Sequence, residues 1–463
     1  MRFNSLEFAI FLPVVLLLWT LLRGRARHAF LLFASYVFYA SWNPPFVLLL
    51  WFSTGLDFVC GGRMAKATNL AVRRAYLGIS MLGNLGVLFY FKYGNFFLDN
   101  VAFMSGIDPE PFYLDVVIPL GISFYTFQTM SYTIDIYRDA AKPSENFLDF
   151  ALYVTFFPQL IAGPILRASQ FLPQLRRTEP IREDEILRGI ELFLGGLFKK
   201  MVVADNFAII ADRVFADPAS FGGTAIWMGA MAFAIQIYCD FSGYSEMAQG
   251  IGHFFGFKLP KNFDFPLLKW NPLLQRLSWH RTMGSWFADY IFRPLGGWDQ
   301  SDFRFACSMM TMWVLIGLWH GAAWHFVIWG INSGLLVTGY MIIMRRKTWS
   351  LPDFTGKRFL GWLANYVYWI ASICFFRAQT LEEVWIMVTR LFTWAPGGGL
   401  PMAWLGFIVV FFAGHMASFM WNYDDDLLQR VGWPGRILWI TGTILAISML
   451  GATGTRPFIY FQF

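Results

Sequence analysis

Apolar runs long enough to cross a bilayer recur along this chain from one end to the other, with only short polar breaks between them. Crossing about 30 Å of hydrocarbon takes roughly 20 consecutive apolar residues in a helix. Of the 463 residues 57% are hydrophobic and 14% charged, against roughly 25% charged in an ordinary soluble domain. The pattern predicts an all-α polytopic membrane protein with about 11 to 13 crossings. No polar segment is large enough to form a separate soluble domain, so residues 1–463 are expected to make a single integral membrane domain.

Basic loops near span ends tend to stay cytoplasmic. "RGRAR" after the first apolar run therefore predicts a periplasmic N-terminus, and the run itself is expected to be retained as a span because no small-residue cleavage site follows it. The same rule accounts for the formal charge of +6 without nucleic acid. Two features fit less simply. "YDDD" at Tyr423 to Asp426 agrees poorly with a cytoplasmic loop. The run "FALYVTFFPQLIAGPIL" has basic residues on both flanks and Pro158, Gly163 and Pro164 within it. A segment that starts and ends on one face reads as re-entrant, and broken backbone at membrane depth needs protein or a water-filled cavity to satisfy it. Cys60, Cys239, Cys307 and Cys374 lie far apart without a CxxC pair and read as buried structural thiols.

A charged side chain at the centre of a span costs about 2.5 to 3.5 kcal/mol on insertion scales, so each polar residue there invites a functional hypothesis. His320 ends the apolar run "MMTMWVLIGLW" and is followed by Gly321, Ala322 and Ala323, which admit close approach of backbone or substrate. A neutral imidazole can take a proton from a hydroxyl near pH 7; a core histidine bonded to a backbone carbonyl is the other reading of that position. His325 follows by five residues, about 140° round a helix, which does not match zinc-binding HExxH spacing; no metal site is expected. His280 sits beside Arg281 in the semi-polar stretch Lys258 to Trp298, expected at the cytoplasmic interface, where a functional residue and a solvated or headgroup-facing one are equally open readings. Asp240, Ser242, Tyr244 and Glu246 share one apolar helix; they fit a histidine-orienting or hydroxyl-binding group and equally a buried network that fixes helix register. "GIGHFFG" misses GxGxxG by one residue and "FSGYS" lacks the first glycine of GxSxG.

Together these motifs resemble the membrane-bound O-acyltransferase (MBOAT) family, in the bacterial branch typified by alginate O-acetylation and teichoic-acid D-alanyl transfer. The resemblance rests on "IPLGISFYTFQTMSYTIDIYR", "FFPQLIAGPI", "YCDFSGYSEMAQGIGHFFGF", the Trp279–His280 pair, "DYIFRPLGG", "GLWHGAAWHFVIWG", "FFRAQTLEEV" and the terminal "PFIYFQF", which cover nearly the whole chain in family order. It departs from the alginate-type pattern at "LLQRLSWHRTMGS", at "GGWDQSDF" and at His325, where an Asn is expected.

The resemblance implies a ring of transmembrane helices with re-entrant segments around a central tunnel, His320 as the central catalytic histidine and His280 as the second. It implies no bound cofactor, an acyl thioester such as acetyl-CoA as donor, and a multi-pass protein of the bacterial inner membrane, in contact with lipid. A periplasmic partner with a catalytic serine would complete O-acetylation of an exopolysaccharide or cell-wall glycan. His320 would act as general base on the acceptor hydroxyl or be acylated itself. Trp279, Trp319 and Trp324 are candidates to wall the tunnel, Asp240 or Ser242 to orient the imidazole or meet the carbonyl, and Arg276, Arg281, Lys258 and Lys261 to meet CoA phosphates. A lipid- or protein-directed acyltransferase, a D-alanyl transferase and a transporter or channel are the alternatives.

Overall fold

The computed structural model describes residues 1–177, 179–346, 355–421, 427–452 and 456–459. The "YDDD" loop, Lys347 and the last four residues of "PFIYFQF" lie outside the described residues. The described chain is helical almost throughout, with one isolated bridge, Phe221 to Gly398. Six of its helices are long and apolar enough to cross a membrane: Pro44–Lys66, Gly223–Phe254, Trp324–Arg345, Arg358–Arg377, Ala403–Met420 and Trp433–Leu450. The larger count read from the sequence includes shorter helices such as the apolar Leu6–Leu21, at 16 residues, and the basic-ended Gly24–Ala40, at 17. Trp433–Leu450 buries none of its residues, and Ala403–Met420 buries only Ile408 and His415. Faces so apolar and so exposed suit a lipid solvent and not water.

Helix ends follow local chemistry. Ser5 accepts from the Phe8 N–H at 3.3 Å to start the first helix, and Asn69 accepts from Ala71 at 2.8 Å to start Leu70–Leu88. Three stretches are wound as π-helix, Phe89–Tyr93, Lys199–Ala204 and Ala288–Phe292, and hydrophobic periodicity gives no sign of them. The chain divides into two compact units, Met1–Phe193 with Met247–Pro260, and Leu194–Glu246 with Lys261–Phe463.

In the first unit an aromatic core joins Phe38 to Phe157 at 5.4 Å and Phe156 to Phe257 at 5.4 Å. Asp57, fully buried in Val47–Lys66, is held by the Ser80 hydroxyl at 2.5 Å and the Asn84 amide at 2.8 Å. The run read as re-entrant is broken in the way the sequence implied. Phe147–Thr155 is a helix of 9 residues, reaching only about 14 Å at 1.5 Å per residue. It gives way at Phe156 to the single turn Phe157–Leu160 and then to irregular backbone, all of it buried. Gly121 packs against this bend: its φ is +74°, and a Cβ there would lie 2.5 Å from the Leu160 carbonyl oxygen.

In the second unit the semi-polar stretch buries its histidine although Arg281 beside it is exposed. It folds into short helices Pro272–Ser278 and Arg281–Phe287 whose junction, His280, is 0% exposed. Three cysteines are buried as expected, whereas Cys307 is exposed.

Candidate functional site

His320 is the last residue of the Asp302–His320 helix. The helix stops because Gly321 is extended (φ −164°), and Ala323, also extended, caps the returning helix Trp324–Arg345. The two helices of this hairpin meet through glycines. A Cβ on Gly317 would lie 2.4 Å from the Phe326 carbonyl oxygen, one on Gly330 2.5 Å from that of Trp313, and one on Gly321 2.1 Å from the Phe326 ring. Small residues thus draw the backbones together. The imidazole is left at the tip, 5% exposed.

Around it stand three aromatic rings in edge-to-face arrangement, Trp319 at 5.0 Å, Trp329 at 5.2 Å and Phe376 at 4.8 Å. Trp319 also lies 5.5 Å from the ring of His280, so one indole neighbours both imidazoles. His280 packs on Phe241 at 4.6 Å. Its backbone is left-handed (φ +43°), an uncommon state for a residue with a side chain. Asn262 holds it there: its carbonyl accepts from the Arg281 N–H at 2.9 Å and its side-chain oxygen from the Thr282 hydroxyl at 3.0 Å. Such outliers cluster at functional sites. Burial and the nearby Arg276 guanidinium push the His280 imidazole well below its ordinary value, so it is neutral at pH 7.

His320 opens onto a cavity of about 70 Å³. Trp279 and Arg276 share its wall, with the Arg276 guanidinium 5.1 Å above the Trp313 ring. The other walls come from Trp313, Trp329, Ser333, Tyr368, Trp369, Ser372 and Phe376, together with aliphatic side chains such as Ile237 and Val337. The residues from 313 to 376 among these are ones the sequence reasoning missed. A signal was available, since Trp329 and Ser333, and Tyr368, Ser372 and Phe376, recur at helical spacing on single faces.

The other candidates lie elsewhere. Asp240 meets no imidazole: its carboxylate is 2.5 Å from the Lys200 ammonium, which also binds Asp205 at 2.9 Å, and it accepts from the Ile459 N–H at 2.7 Å. Two buried carboxylates thereby share one buried lysine, the register-fixing network among the alternatives. Glu246 pairs with Lys199. Tyr244 stacks on Phe458 at 4.7 Å, and Ser242 is buried in the same helix. Trp324 is 54% exposed and Arg281 is exposed, so neither lines the cavity. Lys258 is exposed, and Lys261 is engaged by Asp264 at 3.1 Å. His325 bonds through Nδ1 to the Phe375 carbonyl at 2.7 Å, a packing role. Among the described residues no three His, Cys, Asp or Glu side chains are grouped as metal ligands would be.

Fold and site together define an all-helical integral membrane protein with a buried two-histidine centre. Comparison with known proteins gives the family: residues 77–382 match the model of the membrane-bound O-acyltransferase (MBOAT) family, and the chain belongs to it. It is 37% identical to a probable alginate O-acetylase of Pseudomonas aeruginosa, over 85% of this chain and 75% of that protein. With the probable alginate O-acetylase of Pseudomonas putida it shares 34% identity over 100% of both chains. With the peptidoglycan O-acetyltransferase of Helicobacter pylori it shares 33%, over 81% of this chain and 76% of that one. The protein is a multi-pass membrane O-acyltransferase.

Proposed function

We propose that this O-acyltransferase moves an acetyl group from cytoplasmic acetyl-CoA towards a glycan hydroxyl outside the inner membrane, with His320 as the general base. The observation that carries the reading is the placement of His320, buried at the tip of a glycine-packed hairpin and facing a cavity of about 70 Å³. An imidazole there can accept a proton from the acceptor hydroxyl during transfer and give it back to the leaving group. The small cavity, lined mostly by aliphatic and aromatic side chains, suits a short acyl chain. Relatives acting on alginate and peptidoglycan point to a polysaccharide acceptor.

In this mechanism His320 removes the acceptor proton, the acceptor oxygen attacks the thioester carbon, and the imidazolium returns the proton to the departing thiolate. His280, fixed by its left-handed backbone and neutral, holds the shared indole of Trp319 and with it the orientation of the His320 ring. Arg276 supplies positive charge at the cavity wall. A periplasmic partner with a catalytic serine receives the acetyl group and completes O-acetylation of the polymer. The N-terminus is periplasmic and the whole chain works as one membrane domain.

The test is turnover by the purified protein with acetyl-CoA and palmitoyl-CoA, alone and with candidate glycans. The proposal expects acetyl-CoA to be consumed at least tenfold faster. Equal or faster use of palmitoyl-CoA would favour a lipid- or protein-directed transferase, and transport of the intact thioester without hydrolysis or transfer would favour a carrier.

A further inference from the structure

Two hydrogen-bond donors on the cavity wall have no role in the steps above. The indole Nε1–H of Trp313 is buried, lines the same cavity as His320 and makes no hydrogen bond within the protein; the buried Tyr368 hydroxyl on that wall has the Ser333 and Ser372 hydroxyls beside it, which can donate to its oxygen and leave its own proton free to donate. A buried donor proton without an acceptor is costly, so two facing one cavity point to a ligand oxygen that accepts from both. The remaining chemistry of the wall agrees. Among the lining residues there is no Asp or Glu, while Arg276 places its guanidinium over the Trp313 ring and the hydroxyls of Ser333 and Ser372 flank Tyr368. The cavity is rich in donors and poor in anions, the surroundings a developing negative oxygen requires.

We infer that Trp313 and Tyr368 are catalytic residues that donate hydrogen bonds to the acyl oxygen of the thioester as it becomes an oxyanion. The inference rests on the acyl-transfer reading of the cavity. When the acceptor oxygen forms its bond to the acyl carbon, the C=O π pair moves onto the carbonyl oxygen and the hydroxyl proton passes to His320. The Trp313 N–H and Tyr368 O–H then hold that oxyanion. Its electron pair reforms the C=O bond, the C–S bond breaks, and the thiolate takes the proton back from His320 to leave as free thiol. The products are the ester and CoA, with no other reactant consumed.

Trp313→Phe and Tyr368→Phe each remove one donor and keep a ring. Each is expected to lower kcat by about 10²- to 10³-fold, as removal of one oxyanion donor does elsewhere, with KM for acetyl-CoA changed less than threefold. Tyr366→Phe is the control: its hydroxyl is buried without a hydrogen bond, its ring stacks on Trp362, and it does not line the cavity. It should leave kcat within twofold. A second readout separates donation from packing. The CoA dithioester of acetate puts sulfur, a poor acceptor, where the oxygen sits, so the wild type should prefer the oxygen substrate far more strongly than either variant does. A merely structural role would slow both substrates alike and keep that ratio, and this result would overturn the inference. So would unchanged kcat in both variants. If instead His320→Ala kept its turnover, the acyl-transfer reading of the cavity itself would fail; loss of turnover in His320→Ala with full activity in the two donor variants would sink this inference alone.

Discussion

Gly317→Ala is the substitution for which the hairpin makes its sharpest demand. The added Cβ would start 2.4 Å from the Phe326 carbonyl oxygen and 3.3 Å from the Gly330 Cα, and ordinary contact begins near 3.4 Å. The nearest atoms are backbone, so no side chain can swing away and the two helices must part by about 1 Å. Overpacking of this kind costs about 1–3 kcal/mol, and the better helix propensity of alanine returns about 1 kcal/mol. The net loss of stability is therefore about 0–2 kcal/mol. With His320, three residues further on, as the proposed general base, the functional effect is expected to be larger, since displacing a catalytic group by about 1 Å can cost about 100-fold in rate. Acetyl-CoA turnover and thermal unfolding in detergent measure the two effects side by side. Gly330→Ala should behave alike, and the double variant should cost less than the sum, since the two glycines face each other and one parting accommodates both. Gly339→Ala, on the same returning helix with nothing within 4 Å, should be neutral or slightly stabilising. Turnover within twofold of wild type in Gly317→Ala, at unchanged stability, would refute the close-packed hairpin as the device that places His320.

Other outcomes follow from the surrounding structure. Lys200→Met strands Asp205 and Asp240 without their shared cation and should cost about 3–5 kcal/mol, partly restored by adding Asp240→Asn; thermal unfolding of the two variants checks this. Arg177 donates to Glu185 and holds its carboxyl down to about 2, against an ordinary value of 4.5. That stabilisation is complete above pH 4.5 and is lost as pH falls towards 2. The melting difference between wild type and Glu185→Gln should therefore be constant near neutrality and shrink only in that acid window. His325→Phe removes the bond to the Phe375 carbonyl and should cost about 1–2 kcal/mol while turnover stays within about twofold.

The sequence announced its helices well because lipid imposes a long, unbroken apolar signal, as in Trp324–Arg345 and Ala403–Met420. Pro158 and Gly163 marked the broken segment for the same local reason. The candidate site was legible only in part. His320 stands out as an ionisable residue in apolar surroundings, whereas His280 is singled out by the family resemblance, and the fold places Trp319 between them. The burial of His280 was not legible, since Arg276 and Arg281 beside it suggest a surface; it depends on a turn secured by Asn262, distant in sequence. Asp240 attracted attention as a buried carboxylate, but its partner Lys200 sits on a π-helical turn of another helix, a pairing that no spacing rule predicts. Tyr368 and Trp313 were invisible for a simpler reason. An aromatic residue in an apolar helix looks like core until the cavity it borders is known.

The central claim is that His320 carries the proton in acyl transfer. Purified wild type and His320→Ala, matched for folding by melting temperature, should be compared for release of free CoA thiol from acetyl-CoA in the presence of acceptor. The account predicts that the variant falls by at least about 10²-fold, the low end of what a positioned general base contributes, while still binding the donor. Thiol release at the wild-type rate from folded His320→Ala would contradict it.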